Sequence, residues 1–199
     1  TGLVEVKNNP KERSKIKATH MNRKIEAKFV HPVVRGRYVD RFRLKHEELP
    51  DVSPLPYKKG ERAPISIGDL VKEAPNLAEF YSWAKKWLLK GTDTTKRTVG
   101  AKYATEFYAV GRVGTYTYSE NFVVFRDNGA HVACAITGPQ ETTWGGKRHY
   151  ICQNHAPYIS QTTDGDDITA DEAHYITAIL NAPIVKRFVE SSSDNRSLW

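Results

Sequence analysis

The feature that most constrains the fold of this chain is an apolar stripe near its middle. Apolar residues recur there at three- and four-residue intervals, which is the spacing of one face of an α-helix. Pro75 suits the first turn of such a helix, and Gly91 suits the position just after its end. The pattern predicts a helix over residues 75–90 with Trp87 in the core, and the stripe comprises Leu77, Phe80, Tyr81, Ala84, Trp87 and Leu88.

The first third of the chain is typical of short strands. Apolar and aromatic residues alternate with basic ones through residues 27–30 and 33–42, which predicts strands with a basic face. Gly36 interrupts the second segment and indicates a turn or a close approach of another backbone. Residues 49–61 contain three prolines and a glycine, so we expect a polar surface loop there that continues neither helix nor strand.

Strand patterns return after the helix, at residues 106–112, 121–126, 131–136 and 148–152. A turn signal, Asp127-Asn128-Gly129, joins the second and third of these segments as a hairpin. A polar loop over residues 138–147 precedes the last segment, and we expect Trp144 to be exposed in it.

The C-terminal quarter predicts two consecutive helices. Thr169 and Glu172 have the spacing of a capping box, in which each side chain bonds the free backbone N–H of the other. Apolar residues continue this helix to Leu180, Asn181-Ala182-Pro183 breaks it, and a second apolar face begins at Ile184. The predicted fold class is therefore α+β: a mixed, mainly antiparallel sheet with one long amphipathic helix and a C-terminal helix pair.

The length of 199 residues suits a single compact domain. We divide it into an N-terminal basic segment of linker and strand, residues 1–30, and a main domain, residues 31–199. Because the chain begins with Thr1, we expect it to be a fragment of a longer protein. No apolar stretch approaches the roughly 20 residues needed to cross a bilayer, so we expect no membrane partner. Only Cys134 and Cys152 occur, so we expect buried free thiols in a cytoplasmic protein.

Positive charge is concentrated in the first third. Lys and Arg number 30 against 23 Asp and Glu, a formal net charge of +7. Residues 1–62 hold sixteen basic and eight acidic side chains, whereas the rest of the chain holds fourteen and fifteen. Clustered Lys and Arg displace counterions from phosphates, so the asymmetry favours a polyanionic partner, although an ordinary solvated surface has the same composition.

The catalytic and metal-binding motifs of known enzymes are absent or weak. The sequence has no glycine-rich phosphate loop, no GxGxxG turn, no nucleophile elbow and no HExxH motif. His149, Cys152 and His155 are of the types that bind zinc, but strand alternation puts the first two on opposite faces, so we expect no metal site. This group is the only sequence feature that would support a stand-alone enzyme. We predict no catalytic residue in this chain.

Basic residues interleaved with hydroxyl, amide and aromatic groups in the predicted loops suit a nucleic-acid surface better. Lys and Arg neutralise phosphates, while Arg, Asn, Gln, Ser and Thr bond base edges. These residue types cluster in residues 90–102, 142–148 and 191–196. Three solvated loops with no partner are the competing interpretation.

Two segments carry a resemblance to a known family. The first comprises Tyr108-Ala-Val-Gly-Arg-Val-Gly-Thr-Tyr-Thr-Tyr118, then Asn121-Phe-Val-Val-Phe-Arg126 and Val132-Ala-Cys-Ala-Ile136. The second comprises residues 171–193, where an aliphatic helix ends in Leu180-Asn-Ala182 and another helix follows. Both are similar to the C-terminal region of adenine-specific DNA methyltransferases of restriction–modification systems, and residues 31–41 match the opening of that region more weakly.

In that family the region is the target recognition domain, which binds double-stranded DNA while a separate domain binds S-adenosylmethionine and methylates adenine N6. The resemblance implies the same role for residues 31–199, with no cofactor in this chain and with the catalytic domain as its partner. The family's Asn/Asp-Pro-Pro-Tyr/Phe motif is missing, so we expect no methylation by this chain alone. We expect DNA contacts at Arg35, Arg37, Arg41, Lys96, Arg97, Arg112, Tyr116, Lys147, Arg148, Asn195 and Arg196.

Two other functions fit the same composition. An RNA-binding or RNA-modification module would bind RNA in competition with duplex DNA. A docking domain for a restriction or translocation subunit would have little affinity for DNA even at low salt.

Overall fold

A computed structural model describes residues 2–8, 19–45, 51–90, 106–111, 113–126, 133–153 and 155–192. The fold is α+β, as predicted, with several small and mostly antiparallel sheets and four α-helices in these residues. The chain divides into two compact units, one of Thr1–Val30, Pro54–Thr115 and Thr142–Gly146, the other of His31–Ser53, Tyr116–Glu141 and Lys147–Trp199. The chain passes from the first unit to the second after residue 30, where the sequence placed a boundary. The segment 31–199, however, contributes residues to both units.

The first unit contains a two-stranded antiparallel ribbon and two helices. The ribbon comprises β1 (Leu3–Lys7) and β2 (Asn22–Glu26), and the helices are α1 (Ile67–Glu73) and α2 (Pro75–Lys90). The bounds of α2 confirm the helix predicted from the apolar stripe. The pattern did not predict α1, because seven residues are too few to show a period; Ser66 caps this helix by accepting the N–H of Asp69 at 3.1 Å.

Three tyrosines organise the core of the first unit. The rings of Tyr81 and Tyr108 stack with their centroids 4.4 Å apart. The Tyr57 hydroxyl accepts the N–H of Val110 at 2.7 Å and donates to its carbonyl at 3.2 Å. Burial raises the pKa of all three phenols. Residues 106–111 form bends and a turn, which the Ala109 N–H closes on the Glu106 carbonyl at 3.0 Å, so the strand predicted there was wrong in the described residues.

The remaining strands lie wholly or mostly in the second unit. They are β3 (Val30–Val34), β4 (Val39–Asp40), β5 (Arg43–Leu44), β6 (Val52–Pro54), β7 (Phe122–Arg126), β8 (Ala133–Thr137), β9 (Gln140–Glu141), β10 (Lys147–Arg148), β11 (Ile151–Cys152) and β12 (Tyr158–Ile159). The strand β3 lies between β11 and β6 and is parallel to β11, whereas β7 lies between β12 and β8 and is antiparallel to both. The other strands form two short antiparallel hairpins, β4–β5 and β9–β10.

The strand β7 is apolar on both faces because the second unit packs on each side of it. Phe122 and Val124 are buried in one cluster with Tyr38, and Val123 is buried in another with Ala173. The predicted pairing of β7 with β8 is confirmed, while the turn signal at residues 127–129 lies outside the described residues.

The C-terminal helix pair is confirmed as α3 (Ala170–Leu180) and α4 (Pro183–Ser192). Its capping box is present: the Thr169 hydroxyl accepts the Glu172 N–H at 3.2 Å, and the Glu172 carboxylate accepts the Thr169 N–H at 2.8 Å. None of the described helices is long and apolar enough to span a membrane.

Two of the predicted strands are interrupted by 3-10 helices, at Ala27–Phe29 and Gly36–Tyr38. At the second position the backbone tightens so that the N–H of Tyr38 bonds the carbonyl of Arg35 at 2.9 Å. A Cβ atom on Gly36 would lie 2.2 Å from the His155 carbonyl oxygen, which confirms the predicted close approach.

The two predicted polar loops were wrong in part. Residues 52–54 form β6, which tolerates Pro54 because it is an edge strand of its sheet. Leu55 beside it is 1% exposed. The second loop contains β9 and the start of β10, and the strand predicted over residues 148–152 is split between β10 and β11.

Both tryptophan predictions were wrong as well. Trp87 is half-buried, because it lies in the last turns of α2, where the apolar stripe is no longer fully covered. Leu88, the next residue of the stripe, is 40% exposed. Trp144 is half-buried rather than exposed, because its indole N–H donates to the Val30 carbonyl at 3.2 Å within the first unit.

Candidate nucleic-acid interface

Six of the eleven predicted contact residues lie in the described part of the chain, and all six belong to the second unit. They are Arg35, Arg37, Arg41, Tyr116, Lys147 and Arg148. Lys96, Arg97, Arg112, Asn195 and Arg196 lie outside the described residues.

Three exposed arginines are gathered on the β4–β5 hairpin and the 3-10 helix before it. Val39 pairs with Leu44 and Asp40 with Arg43, so Arg41 and the residue after it form the two-residue tip. Arg37, Arg41 and Arg43 are all exposed. We call residues 35–44 the arginine hairpin; it contains three of the predicted contacts and adds Arg43, which the prediction omitted.

Asp51 holds the base of the arginine hairpin. Its Oδ2 atom lies 2.5 Å from Arg35 Nε and 3.8 Å from a terminal nitrogen of Arg37. The same terminal group of Arg37 donates to the Tyr38 hydroxyl at 2.6 Å, and its guanidinium lies 4.7 Å from the Tyr38 ring centroid. Arg35 is 27% exposed in its side chain and Arg37 58%, so Arg35 braces the hairpin while Arg37 presents its charge to solvent.

Arg41 ties the tip of the hairpin to the helix pair. Its guanidinium donates to the carbonyl of Asn181 at 2.7 Å, at the C-terminus of α3. A cation at this position is favoured by the partial negative charge of a helix C-terminus. The Asn181 side chain in turn donates to the Cys134 carbonyl at 2.8 Å and accepts the N–H of Cys134 at 3.2 Å. Arg41 is therefore both exposed and structurally engaged.

Lys147 and Arg148 lie on the other short hairpin, opposite Glu141 and Gln140 respectively. Lys147 is exposed, whereas Arg148 is half-buried. A terminal nitrogen of Arg148 donates to the carbonyl of Lys147 at 2.9 Å, and its Nε atom is buried without a hydrogen-bond partner in the described structure. Of the two side chains, Lys147 is the one held out to solvent.

A buried histidine lies beside Arg148. His31 is 8% exposed, and its Nδ1 atom is 3.0 Å from the carbonyl of His149. Burial lowers the pKa of His31 to about 4, and the charges of Arg148 and His149 add to the effect. The imidazole is neutral at pH 7 and contributes no charge to the surface.

Tyr116 is half-buried in the 3-10 helix Thr115–Tyr118. Its carbonyl accepts the Ser160 hydroxyl at 3.0 Å, and its ring centroid lies 6.3 Å from that of Tyr158. The ring is partly committed to packing within the second unit.

The strand β3 relates the two groups of basic residues. His31, beside Arg148, lies near its start, and Arg35 follows its last residue. Four residues of extended chain span about 13 Å. The arginine hairpin and the Lys147 hairpin therefore lie towards opposite ends of one strand.

The two cysteines are free, as predicted; Cys134 is buried and Cys152 half-buried. Burial raises the pKa of Cys134 to about 11 and that of Cys152 to about 12, so both thiols stay protonated at neutral pH. The described residues contain no group of three His, Cys, Asp or Glu side chains placed to hold a metal ion, with His149, Cys152 and His155 among those searched.

Sequence reasoning missed Asp51 and Asn181, which brace the arginine hairpin, and Phe42, which lies at its tip. The tripeptide Arg41-Phe42-Arg43 was a usable signal, because it places an aromatic ring between two cations. Asp51 and Asn181 gave no signal, because their partners are distant in sequence. Comparison of the chain with family models, with curated proteins and with solved structures finds no match.

Proposed function

We propose that this chain is the sequence-specific double-stranded DNA recognition domain of an N6-adenine DNA methyltransferase in a restriction–modification system. It positions the target adenine for a separate catalytic domain that binds S-adenosylmethionine. The observation that carries the proposal is the arginine hairpin, which presents Arg37, Arg41 and Arg43 on one braced element. The resemblance of residues 31–196 to the family's recognition region supports it.

The bracing of the hairpin favours phosphate binding. Arginine presents donors in a fixed fork that matches phosphate oxygens, and a side chain that is already ordered loses less entropy when it binds. Asp51 and the Asn181 carbonyl supply that order at the two ends of the hairpin. A partner with a regular row of anions is the best match to this arrangement.

The two groups of basic residues lie towards opposite ends of β3, which suits a partner that offers several phosphates. The arginine hairpin at one end and Lys147 at the other then contact separate phosphates. Base discrimination falls to neighbouring loop side chains.

Binding to a 30-base-pair duplex, measured by fluorescence anisotropy over a range of salt concentrations, tests the proposal. Each phosphate contact contributes about −0.9 to the slope of log K against log salt. We expect the double variant Arg37→Ala/Arg43→Ala to reduce the magnitude of that slope by the equivalent of about two phosphate contacts. Its binding to all duplex sequences should weaken to the same degree.

The matched control is Lys58→Ala/Lys59→Ala, which removes two exposed cations from the first unit. This variant should leave the slope close to that of the wild type. Equal slopes for the wild type and the arginine variant would place the DNA elsewhere. Double-stranded RNA that competes as well as DNA would favour the RNA-module alternative instead.

A docking domain for a restriction or translocation subunit is the second candidate, and one observation favours it. The helix pair exposes Tyr175 and Ile179 on one face of α3, and Ile184 and Phe188 on one face of α4, with exposures between 47% and 69%. Exposed apolar clusters of this kind mark protein interfaces. Absence of duplex binding at low salt would make this the better reading of the chain.

A further inference from the structure

Phe42, at the tip of the arginine hairpin, has a backbone conformation that bulky residues avoid. Its φ angle is 59°, and among the described residues it is the only one other than glycine with a positive φ. In this left-handed region Cβ approaches the following carbonyl oxygen, and turns that need it at their third position ordinarily use Gly or Asn. The sequence has Asp40-Arg41-Phe42-Arg43 instead.

The surrounding structure determines this conformation several times over. The Phe42 N–H donates to the Cys134 carbonyl at 2.9 Å, and the Arg41 N–H donates to the Asp40 carboxylate at 2.8 Å. The Arg41 guanidinium holds the Asn181 carbonyl, and Asn181 holds the backbone of Cys134. None of these bonds uses the Phe42 side chain, so they would form equally well with another side chain there.

Burial does not compensate for the unfavourable backbone. Phe42 is 60% exposed, and its ring centroid lies 5.8 Å from the Arg41 guanidinium carbon. A fold that needed only the turn would be better served by asparagine or glycine. An unfavourable conformation that persists without a packing reason indicates that the side chain has a function outside the fold.

The surroundings of the ring define its partner. Arg41 and Arg43 flank it and are exposed, as is Arg37, while Asp40, the acidic residue of the arginine hairpin, is engaged by the Arg41 N–H. The partner must therefore offer anions on either side of a flat or apolar surface. Nucleic acid has this chemistry, with phosphates flanking stacked bases.

We infer that Phe42 is a wedge residue, whose ring inserts between stacked bases of a DNA duplex while the neighbouring arginines hold the flanking phosphates. The inference rests on the proposed function and deepens it. Apolar wedges of this kind unstack a base step and bend the duplex. Unstacking assists the extrusion of a base, which any enzyme acting on adenine N6 within a duplex requires.

The test uses Phe42→Asn, which suits a positive φ and removes the ring, and Phe42→Trp, which keeps a stacking surface. Binding is measured by fluorescence anisotropy to a 30-base-pair duplex and to the same duplex with a central A·A mismatch. A wedge prefers the mismatch, because its bases are already partly unstacked. We expect Phe42→Asn to weaken binding about tenfold and to lose the mismatch preference, while Phe42→Trp retains both.

Val71→Ala is the control, because Val71 is an apolar residue of similar exposure, 55%, on α1 in the first unit, outside both candidate surfaces. It should leave both affinities unchanged. The thermal unfolding midpoint of Phe42→Asn should equal or exceed that of the wild type, because the substitution relieves the backbone. Weaker binding together with unchanged or higher stability identifies a functional ring.

Three results would overturn the inference. Wild-type affinity and mismatch preference in Phe42→Asn would exclude the wedge while leaving the proposed function intact, and a protein contact would then explain the exposed ring. A marked fall in the unfolding midpoint of Phe42→Asn would show that the ring serves the fold. Failure of the wild type to bind either duplex would remove the proposed function itself.

Discussion

His31 is a neutral residue at physiological pH because three features of its surroundings oppose a second proton. It is buried, and Arg148 and His149 lie close enough for their charges to act on it. The Nδ1–H donates to the His149 carbonyl, which fixes the neutral tautomer. The residue anchors the start of β3 to the segment that follows β10.

Acid should therefore destabilise the second unit through His31. The folded-state pKa is about 4, below the ordinary value of 6.5, so the unfolded chain takes up the proton first as the pH falls. Stability is complete above pH 6.5 and is lost between pH 6.5 and 4, by up to about 3 kcal/mol at 1.36 kcal/mol per pH unit.

Urea denaturation at several pH values measures this effect. His31→Asn keeps an N–H donor for the His149 carbonyl but does not titrate. Subtracting the variant's profile from that of the wild type removes the contribution of the other histidines. A difference that stays flat from pH 7 to pH 4 would contradict the assignment.

At the scale of elements, a carboxylate from β2 caps the N-terminus of α2. Glu26 is 6% exposed; its two oxygens accept the backbone N–H groups of Asn76 at 3.0 Å and Leu77 at 2.8 Å, together with the Asn76 amide. Burial opposes the charge, but these hydrogen bonds outweigh it and hold the pKa of Glu26 below its ordinary value. The helix dipole favours the same charge.

Glu26→Gln should cost about 1–3 kcal/mol at pH 7, because the amide group turns a donor towards backbone donors. The lowered pKa means that the cap is fully present above pH 4.5 and is lost as the pH falls through the folded-state value. The difference in unfolding free energy between the two proteins should therefore shrink at pH 3. Glu79→Gln, at a carboxylate 66% exposed, should change stability by less than about 0.5 kcal/mol.

The 3-10 helix within the arginine hairpin, Gly36–Tyr38, depends on Gly36. A Cβ atom there would lie 2.2 Å from the His155 carbonyl oxygen. Both the Gly36 Cα and this carbonyl belong to the backbone, so neither can move away without distorting the chain. We expect Gly36→Ala to destabilise the protein by about 2–4 kcal/mol, as overpacking against backbone does.

Gly68→Ala is the matched substitution. Gly68 lies in α1, and the only atom within 4 Å of a Cβ atom built there is the Ser66 Oγ atom, at 4.0 Å. Alanine in a helix should stabilise by about 0.5–1 kcal/mol. Thermal denaturation of the two variants should give midpoint shifts of opposite sign; shifts of the same sign would show that the turn is not as tight as described.

At the scale of the whole molecule, positive charge is concentrated in the first third of the chain, and the sequence lacks a cofactor-binding signature. The net charge of +7 arises in the first 62 residues, which contain the ribbon of the first unit and the arginine hairpin of the second. We expect no binding of S-adenosylmethionine, because the sequence has no glycine-rich turn from strand to helix to receive it. Isothermal titration calorimetry that detects stoichiometric micromolar binding would contradict the proposal that a separate domain binds this cofactor.

Local patterns in the sequence were sufficient for the elements whose stability is local. The stripe of α2 and the capping box at Thr169 are set by side chains three or four residues apart, so periodicity and spacing predicted them with their ends. The β7–β8 pair was predictable for the same reason, since a short connection favours antiparallel neighbours.

The sequence by itself thus determined the fold class, the long helix, the C-terminal helix pair and a set of basic contact candidates. Only the tertiary structure decided which arginines brace and which are presented, because Arg41 meets Asn181 across 140 positions and Arg35 meets Asp51 across 16. It also decided the 3-10 helix at Gly36 and the positive φ of Phe42. Intrinsic propensity disfavours a phenylalanine there, and bonds from Cys134 and Asn181, remote in sequence, override it.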